Sequence, residues 1–337
     1  MAEKEHESHS NGTIRFEAPD AASTLEGTGV LVTGGATGVG AAMVTALANA
    51  GAYVTIADSV ANEGQRLMLD LVNQNKHVQY LHTPLSSFRS QTETFAHASA
   101  FSPTGALSLV IINTLPPDSS PSFAPADSLF DWLANPPSVP GFPPTLGPPP
   151  TAPLDLSVTA VLYSVHLAFH HFKAAAAAAD GAGAKAGREE GGSSASARVN
   201  AERHILFLAP RAYVDEGGLG PGVLASGAAA AGLRAVFKDL RGVVQRGVPG
   251  LDGSGVRVNL VAVGETVKSD GINGGGAKVE GRMSAAKKVK VDGVLLEEED
   301  EEKYVACVDA VMRVVYDGNL QGCALAVSNE SVQGVNI

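Results

Sequence analysis

The segment TGGATGVG, Thr33 to Gly40, restricts the possible folds of this 337-residue chain more than any other segment. An apolar run, GVLVT, precedes it, and AAMVTALANAG, which has helical periodicity, follows it. Glycines at a strand-to-helix junction let the backbone turn sharply and bring a diphosphate close to the free N–H groups at the helix start. The alternative is a glycine turn that serves only tight packing. The segment favours a dinucleotide-binding turn made of Thr33, Gly34, Gly35, Thr37, Gly38, Val39 and Gly40.

Short apolar segments alternate with helical segments along most of the chain, which is typical of parallel sheets covered by helices. The pattern predicts an α/β fold, a Rossmann-type doubly wound parallel sheet of about seven strands with helices on both faces. The predicted strands are Gly29–Thr33, Tyr53–Asp58, Val78–Thr83, Leu107–Asn113, His204–Pro210, Val256–Gly264 and Cys323–Ser328.

Several segments depart from this alternation. Residues 1–26 are polar and predict a flexible tail before a single domain at 27–337. Three insertions are predicted inside that domain, because their compositions do not suit a core helix or a central strand. They are the proline-rich residues 115–154, the alanine- and glycine-rich residues 176–202, and residues 265–302, which end in the acidic run EEEDEE.

Composition excludes several classes of function. The net charge of −11 argues against binding to nucleic acid or to an anionic membrane surface. The two cysteines are too few for a disulfide framework. The sequence contains no run of about 18 apolar residues that would predict a membrane span, and its N-terminus lacks the apolar core of a signal peptide. These features predict a cytoplasmic protein that binds neither nucleic acid nor a membrane.

An acidic residue, Asp58, ends the second predicted strand, about 20 residues after the glycine turn. A carboxylate at this place hydrogen-bonds a ribose 2′-hydroxyl and repels a 2′-phosphate. No arginine adjoins Asp58. The expected cofactor is therefore NAD, with NADP less favoured.

The spacing TGxxxGxG resembles that of the short-chain dehydrogenase/reductase family. DLSVTAVLYSVHLAFHHF is similar to the fourth helix of that family, LVIIN to the strand that ends in NNAG, and VRVNLVAVG to the strand that ends in RVNAVAPG. LYSVHLAFHHF and QGCALAVSNESVQGVNI resemble most its fungal 15-hydroxyprostaglandin dehydrogenase-like branch. Residues 27–264 and 303–337 carry the likeness. The resemblance implies an NAD(P)-dependent oxidoreductase in which Asn113 lies beside the cofactor.

The family's catalytic residues are an asparagine, a serine, a tyrosine and a lysine, with the tyrosine as the general acid/base and the lysine lowering its pKa. An alignment without gaps from the fifth strand onward predicts that Pro210, Val223 and Gly227 occupy the serine, tyrosine and lysine positions, and the likeness of the fourth helix predicts Ser157 at the asparagine position. Proline, valine and glycine side chains cannot transfer a proton. The resemblance therefore predicts a dinucleotide site without the usual proton donor.

Other side chains are candidates for a replacement proton donor, each with an ordinary structural role as the alternative. Tyr213 follows the fifth strand and precedes Asp215 and Glu216. His166, His170 and His171 lie on the predicted fourth helix, and His166 and His170 are spaced to share a face with Tyr163. Two histidines without a third ligand predict no metal site.

The resemblance also implies a homodimer through the helices around 155–173 and 223–245. The alanine run at 228–231 allows close approach of helices, although burial against the chain's own sheet explains it equally well.

The sequence is compatible with three functions. The first is an atypical tailoring enzyme that transfers hydride to an activated centre, or cyclises or isomerises a small secondary metabolite. The second is an NAD-dependent alcohol/ketone oxidoreductase with a relocated proton donor. The third is a catalytically inactive pseudoenzyme or scaffold.

Overall fold

Strands and helices alternate along the chain in the computed structural model, which describes residues 25–115, 151–183, 203–214, 224–251, 255–264, 288–291, 294–327 and 332–335. The strands are β1 Gly29–Thr33, β2 Tyr53–Asp58, β3 Val78–His82, β4 Leu109–Asn113, β5 Arg203–Pro210, β6 Val256–Val263, β7 Lys288–Val291, β8 Val294–Glu297, β9 Ala324–Val327 and β10 Val332–Gly334. The helices longer than one turn are α1 Gly38–Asn49, α2 Ala61–Asn73, α3 Phe88–Phe101, α4 Ala160–Gly183, α5 Leu224–Arg246 and α6 Glu298–Tyr316.

The main sheet has the strand order β10-β9-β6-β5-β4-β1-β2-β3. Seven strands run parallel, and β10 pairs antiparallel with β9 at the edge. The predicted doubly wound sheet is therefore confirmed, with one unpredicted edge strand added. Chain order reverses between β1 and β4, and ligands of such sheets bind in the crevice outside the carboxyl ends of the strands at that point.

A separate apolar cluster covers each face of the sheet. Successive strand residues point to opposite faces, so Phe207 packs with α3, α4 and α5, whereas Leu206 and Leu208 pack with α1 and α6. Phe95, Phe172 and Phe237 complete the first cluster. Burial on both faces explains why the central strands read as continuous apolar runs rather than as alternating ones.

The described elements differ from the predicted boundaries in three places. Leu25, assigned to the tail, is fully buried, and its N–H donates to the carbonyl of Ala50. Helix α4 continues to Gly183 inside the stretch assigned to an insertion, because alanine has the highest helix propensity. Residues 265–302 are not wholly irregular, since β7 and β8 form an antiparallel pair and α6 begins at Glu298. Residues 1–24, 116–150 and 184–202 lie outside the described ranges.

Buried polar side chains join the amino ends of β5 and β6 to the end of α6. The Arg257 guanidinium donates to the carbonyls of Val314, Val315 and Asp317 at 3.1, 3.0 and 2.8 Å. These contacts satisfy carbonyls that a helix leaves without partners at its end. They hold the end of α6 against β6, the strand with which β9 pairs.

A second buried network lies next to it. Asn259 Nδ2 lies 3.1 Å from His204 Nε2 and donates to the Leu320 carbonyl at 2.9 Å, and its Oδ1 accepts from the Cys323 N–H at 3.0 Å. Burial holds the pKa of His204 well below its ordinary value, and the charge of Arg257 lowers it further.

Among the described residues, no helix is both long and apolar enough to cross a bilayer.

Candidate active site

The glycine-rich turn between β1 and α1 has a backbone that only glycine adopts easily. Gly34 and Gly38 have φ angles of +62° and +55°, in the left-handed region that a Cβ disfavours. At Gly40, a Cβ would collide with the carbonyl oxygen of Gly34. The turn is therefore as compact as predicted, and side chains at these glycines would fill or distort it.

The start of α1 presents its backbone N–H groups without a side-chain cap. Thr37 precedes the helix in an extended conformation, and its hydroxyl makes no capping hydrogen bond. Helix N-termini carry unpaired donors and a partial positive charge, which together attract anions. The turn and helix start thus fit the diphosphate of a dinucleotide.

The Asp58 carboxylate lies at the carboxyl end of β2 and is held by two backbone donors. Oδ2 accepts from the Ala36 N–H and Oδ1 from the Val60 N–H, each at 3.0 Å. The residue is only 7% exposed. A carboxylate oxygen accepts more than one hydrogen bond, so Asp58 keeps acceptor capacity for a ribose hydroxyl. Its link to Ala36 ties the acceptor to the glycine-rich turn.

Tyr80, which the sequence did not single out, supports the end of β2. Its ring lies where a Cβ on Gly64 would be, and its hydroxyl donates to the Asp58 carbonyl at 2.9 Å. Burial and the Asp58 charge raise the pKa of Tyr80. The register that pairs Asp58 with His82 brings these residues together, although they are far apart in sequence.

Asn113 at the end of β4 braces the turn from the other side. Its Nδ2 donates to the Gly34 carbonyl at 2.8 Å, and its Oδ1 accepts from the Leu115 N–H at 3.0 Å. Its own N–H donates to the Thr33 hydroxyl at 3.2 Å. The side chain predicted to bind cofactor is thus engaged at both ends in shaping the turn.

The positions predicted for the catalytic serine and lysine lie at the same edge of the sheet. Pro210 ends β5 opposite Val263, the last residue of β6. Gly227 lies near the start of α5, and a Cβ added there would have no neighbour within 4 Å among the residues that the structure describes. Val223 lies outside the described residues. Proton-transfer chemistry is therefore missing at Pro210 and Gly227.

Ser157, at the predicted asparagine position, lies buried in a π-helical turn, Asp155–Thr159, that leads into α4. The Ala160 N–H bonds to the Asp155 carbonyl, five residues back. The Gln91 side chain donates to the Ala160 carbonyl at 3.1 Å and so attaches α3 to this junction. Single π-turns inside helices occur frequently at functional sites.

Tyr213, the candidate replacement acid, lies in a short 3₁₀ turn, Arg211–Tyr213, directly after β5. Its side chain is only 3% exposed and belongs to the apolar cluster. The Arg234 guanidinium donates to its carbonyl at 2.6 Å. This placement favours a packing role for the ring. Asp215 and Glu216 lie outside the described residues.

The three histidines of α4 lie in different surroundings. His166 and Tyr163 both contact the ring of Phe88, so they share a face, whereas His171 Nδ1 lies 2.8 Å from the Ser99 hydroxyl. Burial lowers the pKa of His171, and His170 lowers it further. Within the described ranges, no group of three His, Cys, Asp or Glu side chains is placed to hold a metal ion.

Arg211 is a second side chain at this edge that the sequence did not single out. It follows Pro210 directly and is half-buried. Its Cδ lies 3.8 Å from the point that a Cβ on Gly264, just after β6, would occupy. A basic residue immediately after the predicted serine position was the available signal.

The match to a known protein family lies in the part of the chain that carries the glycine-rich turn and Asp58. Residues 28–114, from just before β1 to just after β4, match the model described as short chain dehydrogenase. Over these residues the chain is similar to the short-chain dehydrogenase/reductase family. Its fold is the NAD(P)-binding Rossmann fold, and the matched residues carry the glycine-rich turn, Asp58 and Asn113.

A curated relative supports the same assignment over a longer stretch. The chain is 38% identical over 151 residues to 5'-hydroxyaverantin dehydrogenase of Dothistroma septosporum, covering 44% of this chain and 47% of the relative. The chain thus spans about half the length of the curated relative that it matches.

Solved structures give looser matches. A 3-ketoacyl-(acyl-carrier-protein) reductase from Brucella melitensis, complexed with NADH, is 18% identical with a TM-score of 0.45, covering 72% of this chain and 76% of that one. A short-chain type dehydrogenase/reductase from Mycobacterium marinum is 15% identical with a TM-score of 0.47, at the same two coverages. Likenesses at this level identify neither an activity nor a cofactor for this chain.

Proposed function

We propose that the protein binds NAD(H) and acts as an atypical tailoring enzyme on a small secondary metabolite, by hydride transfer to an activated centre or by cyclisation or isomerisation. One contrast carries the proposal. The turn and Asp58 keep the geometry of a dinucleotide site, whereas Pro210 and Gly227 stand at two of the positions from which the family's proton chemistry is expected.

Asp58 supports NAD over NADP. Its carboxylate is buried and held against the turn by the Ala36 and Val60 N–H groups, so it cannot easily swing aside. A 2′-phosphate beside it would bring two or nearly two further negative charges against a carboxylate. A ribose hydroxyl, by contrast, donates to it.

The missing proton donor restricts the reaction. Bound NADH supplies a hydride. Reduction of a ketone also needs a proton on oxygen, whereas an iminium carbon becomes an amine when the hydride alone arrives. Orientation of two reactants in one site lowers a barrier by several kcal/mol without acid or base catalysis. An activated electrophile therefore suits these residues better than a simple ketone.

The relative's name supports the metabolite class. It is a dehydrogenase named for 5'-hydroxyaverantin, and we propose that this chain acts on a related metabolite.

The test begins with calorimetric titration of NADH and NADPH into the protein, with Gly40→Val as a control whose side chain blocks the turn. We expect micromolar NADH binding, weaker NADPH binding, and neither in the control. NADH oxidation is then followed with a protonated cyclic imine and with the ketone of the same ring size. Equal rates with imine and ketone would contradict the proposed chemistry, and absence of NADH binding at millimolar concentration would contradict the proposed cofactor.

We further propose a cytoplasmic homodimer. Both cysteines are unpaired, which suits a reducing compartment. Helix α4 is one of the two helices proposed for the interface. Leu162 on this helix is 48% exposed, and Leu156, just before it, is 52% exposed. Within the alanine run, Ala229 and Ala230 are buried in the chain itself, which leaves Ala228 and Ala231 for a partner.

A further inference from the structure

The guanidinium side chain of Arg211 starts at the edge where the proposed substrate would meet the cofactor. Strands β5 and β6 are in register through Pro210 and Val263, so Arg211 and Gly264 are the first residues beyond the paired ends. The Arg211 Cδ lies 3.8 Å from where Gly264 would carry a Cβ. The aliphatic part of Arg211 therefore runs across the carboxyl end of β6.

The turn that carries Arg211 is held at both ends. Pro210 restricts the backbone before it, and the Arg211 carbonyl accepts from the Val214 N–H at 2.9 Å. Tyr213 and Val214 are each only 3% exposed, and Arg234 bonds the Tyr213 carbonyl at 2.6 Å. A side chain on such a turn loses little backbone freedom on binding a ligand, which favours recognition.

The chemistry of the residue indicates what it recognises. A guanidinium stays charged at all working pH values, so it cannot serve as the missing proton donor. It does present a rigid fork of donors that matches an anionic oxygen, in hydrogen bonds stronger than neutral ones. Ligands of doubly wound sheets bind outside the carboxyl ends of the strands, where this side chain starts.

We propose that Arg211 is a substrate-binding residue, and that the substrate presents an anionic oxygen, from a carboxylate or a phenolate, to its guanidinium. This inference rests on the proposed function, because it assumes that the site beside the cofactor receives a substrate. It adds a class of substrate that neither the glycine-rich turn nor the missing proton donor indicates.

The experiment compares anions with neutral molecules of the same shape. Calorimetry measures binding of 2-naphthoate against 2-naphthamide, and of 4-nitrophenolate against 4-nitroanisole, to the protein with and without saturating NADH. We expect at least one anion to bind about tenfold or more tightly than its neutral counterpart, and the pair that shows this identifies carboxylate or phenolate as the source. Arg211→Gln is expected to abolish the preference and Arg211→Lys to keep part of it.

A matched control separates this contact from general charge attraction. Arg246 is exposed in the last turn of α5, and Arg246→Gln removes the same charge there. The preference should survive in that variant. The proposal is overturned if neither anion is preferred by the wild type, or if Arg211→Gln keeps the preference. Failure of NADH to bind would instead contradict the proposed function, since the anion titration of the NADH-free protein still tests Arg211.

Discussion

At the scale of single residues, we propose that Asp58 makes the site prefer NAD to NADP. Asp58→Asn removes the negative charge and turns an amide N–H₂ towards either the Ala36 or the Val60 N–H, both of which need an acceptor. We expect NADH affinity to fall about tenfold or more, because a charge-assisted hydrogen bond is lost, and discrimination against NADPH to weaken. Calorimetric titration of both cofactors measures this. Asp239→Asn, on the exposed side of α5, should change neither affinity.

His204 makes folding stability depend on pH. Its pKa in the folded protein is well below the ordinary value, so the folded state keeps it neutral while the unfolded chain takes up a proton below about pH 6.5. The stability from this site is therefore complete above that pH and decreases as the pH falls, by at most about 1.4 kcal/mol per pH unit.

Urea unfolding at several pH values between about 5 and 7.5 measures this slope. His204→Gln keeps an acceptor for Asn259 without a titrating group and should flatten it. His97→Gln, on the exposed face of α3, is the matched control and should not. A slope unchanged in His204→Gln would show that other groups cause it.

At the scale of elements, we expect alanine substitutions at two glycines of α5 to have opposite effects on stability. A Cβ on Gly227 meets no described residue within 4 Å, whereas a Cβ on Gly232 lies 2.7 Å from Val158 Cγ2 in the π-helical turn. Gly227→Ala should therefore stabilise the protein by about 0.5–1 kcal/mol through helix propensity. Gly232→Ala should lose that gain and destabilise, because the turn must move. Urea unfolding of the two variants decides, and equal stabilisation by both would contradict this account of the packing.

The strands and the glycine-rich turn could be predicted from sequence because their signals are local. Glycines flank β1, and burial on both faces explains the continuous apolar sequences of β4, of β5 after His204 and of β6 after Asn259. The π-helical turn could not be predicted, because its hydrogen-bond register depends on Gln91 and on the packing of Val158 against α5. Leu25 escaped prediction because a single buried residue has no periodicity.

Some residues of the candidate site could likewise be predicted from the sequence, and others could not. Asp58 follows from its distance along the chain to the glycine turn. Tyr80 does not, because it reaches the site only through the pairing of β2 with β3. Arg211 directly follows the predicted serine position, Pro210, but its closeness to Gly264 depends on the pairing of β5 with β6. The family resemblance placed Asn113 beside the cofactor. Only the folded arrangement shows that both the nitrogen and the oxygen of its side-chain amide form hydrogen bonds with the backbone.

At the scale of the whole molecule, the proposed dimer is tested by one exposed leucine. Leu162→Glu places a charge on the face of α4 that we propose to be buried between two copies, and we expect it to yield monomers. Leu69→Glu, on α2, changes a residue that is 55% exposed and should leave the dimer intact. Sedimentation velocity distinguishes the two states, and a monomeric wild type would contradict the proposal.

The order of strands in the sheet has a consequence for how the chain is made. Strand β6 is almost wholly buried, and its outer neighbour, β9, lies more than 60 residues further along the chain. While a ribosome is still adding those residues, the apolar half of β6, from Leu260 to Val263, has its outer backbone donors and acceptors unpaired. Unpaired edges of this kind join other chains. Shortened proteins that stop before Ala324 should therefore aggregate during synthesis rather than accumulate as folded monomers.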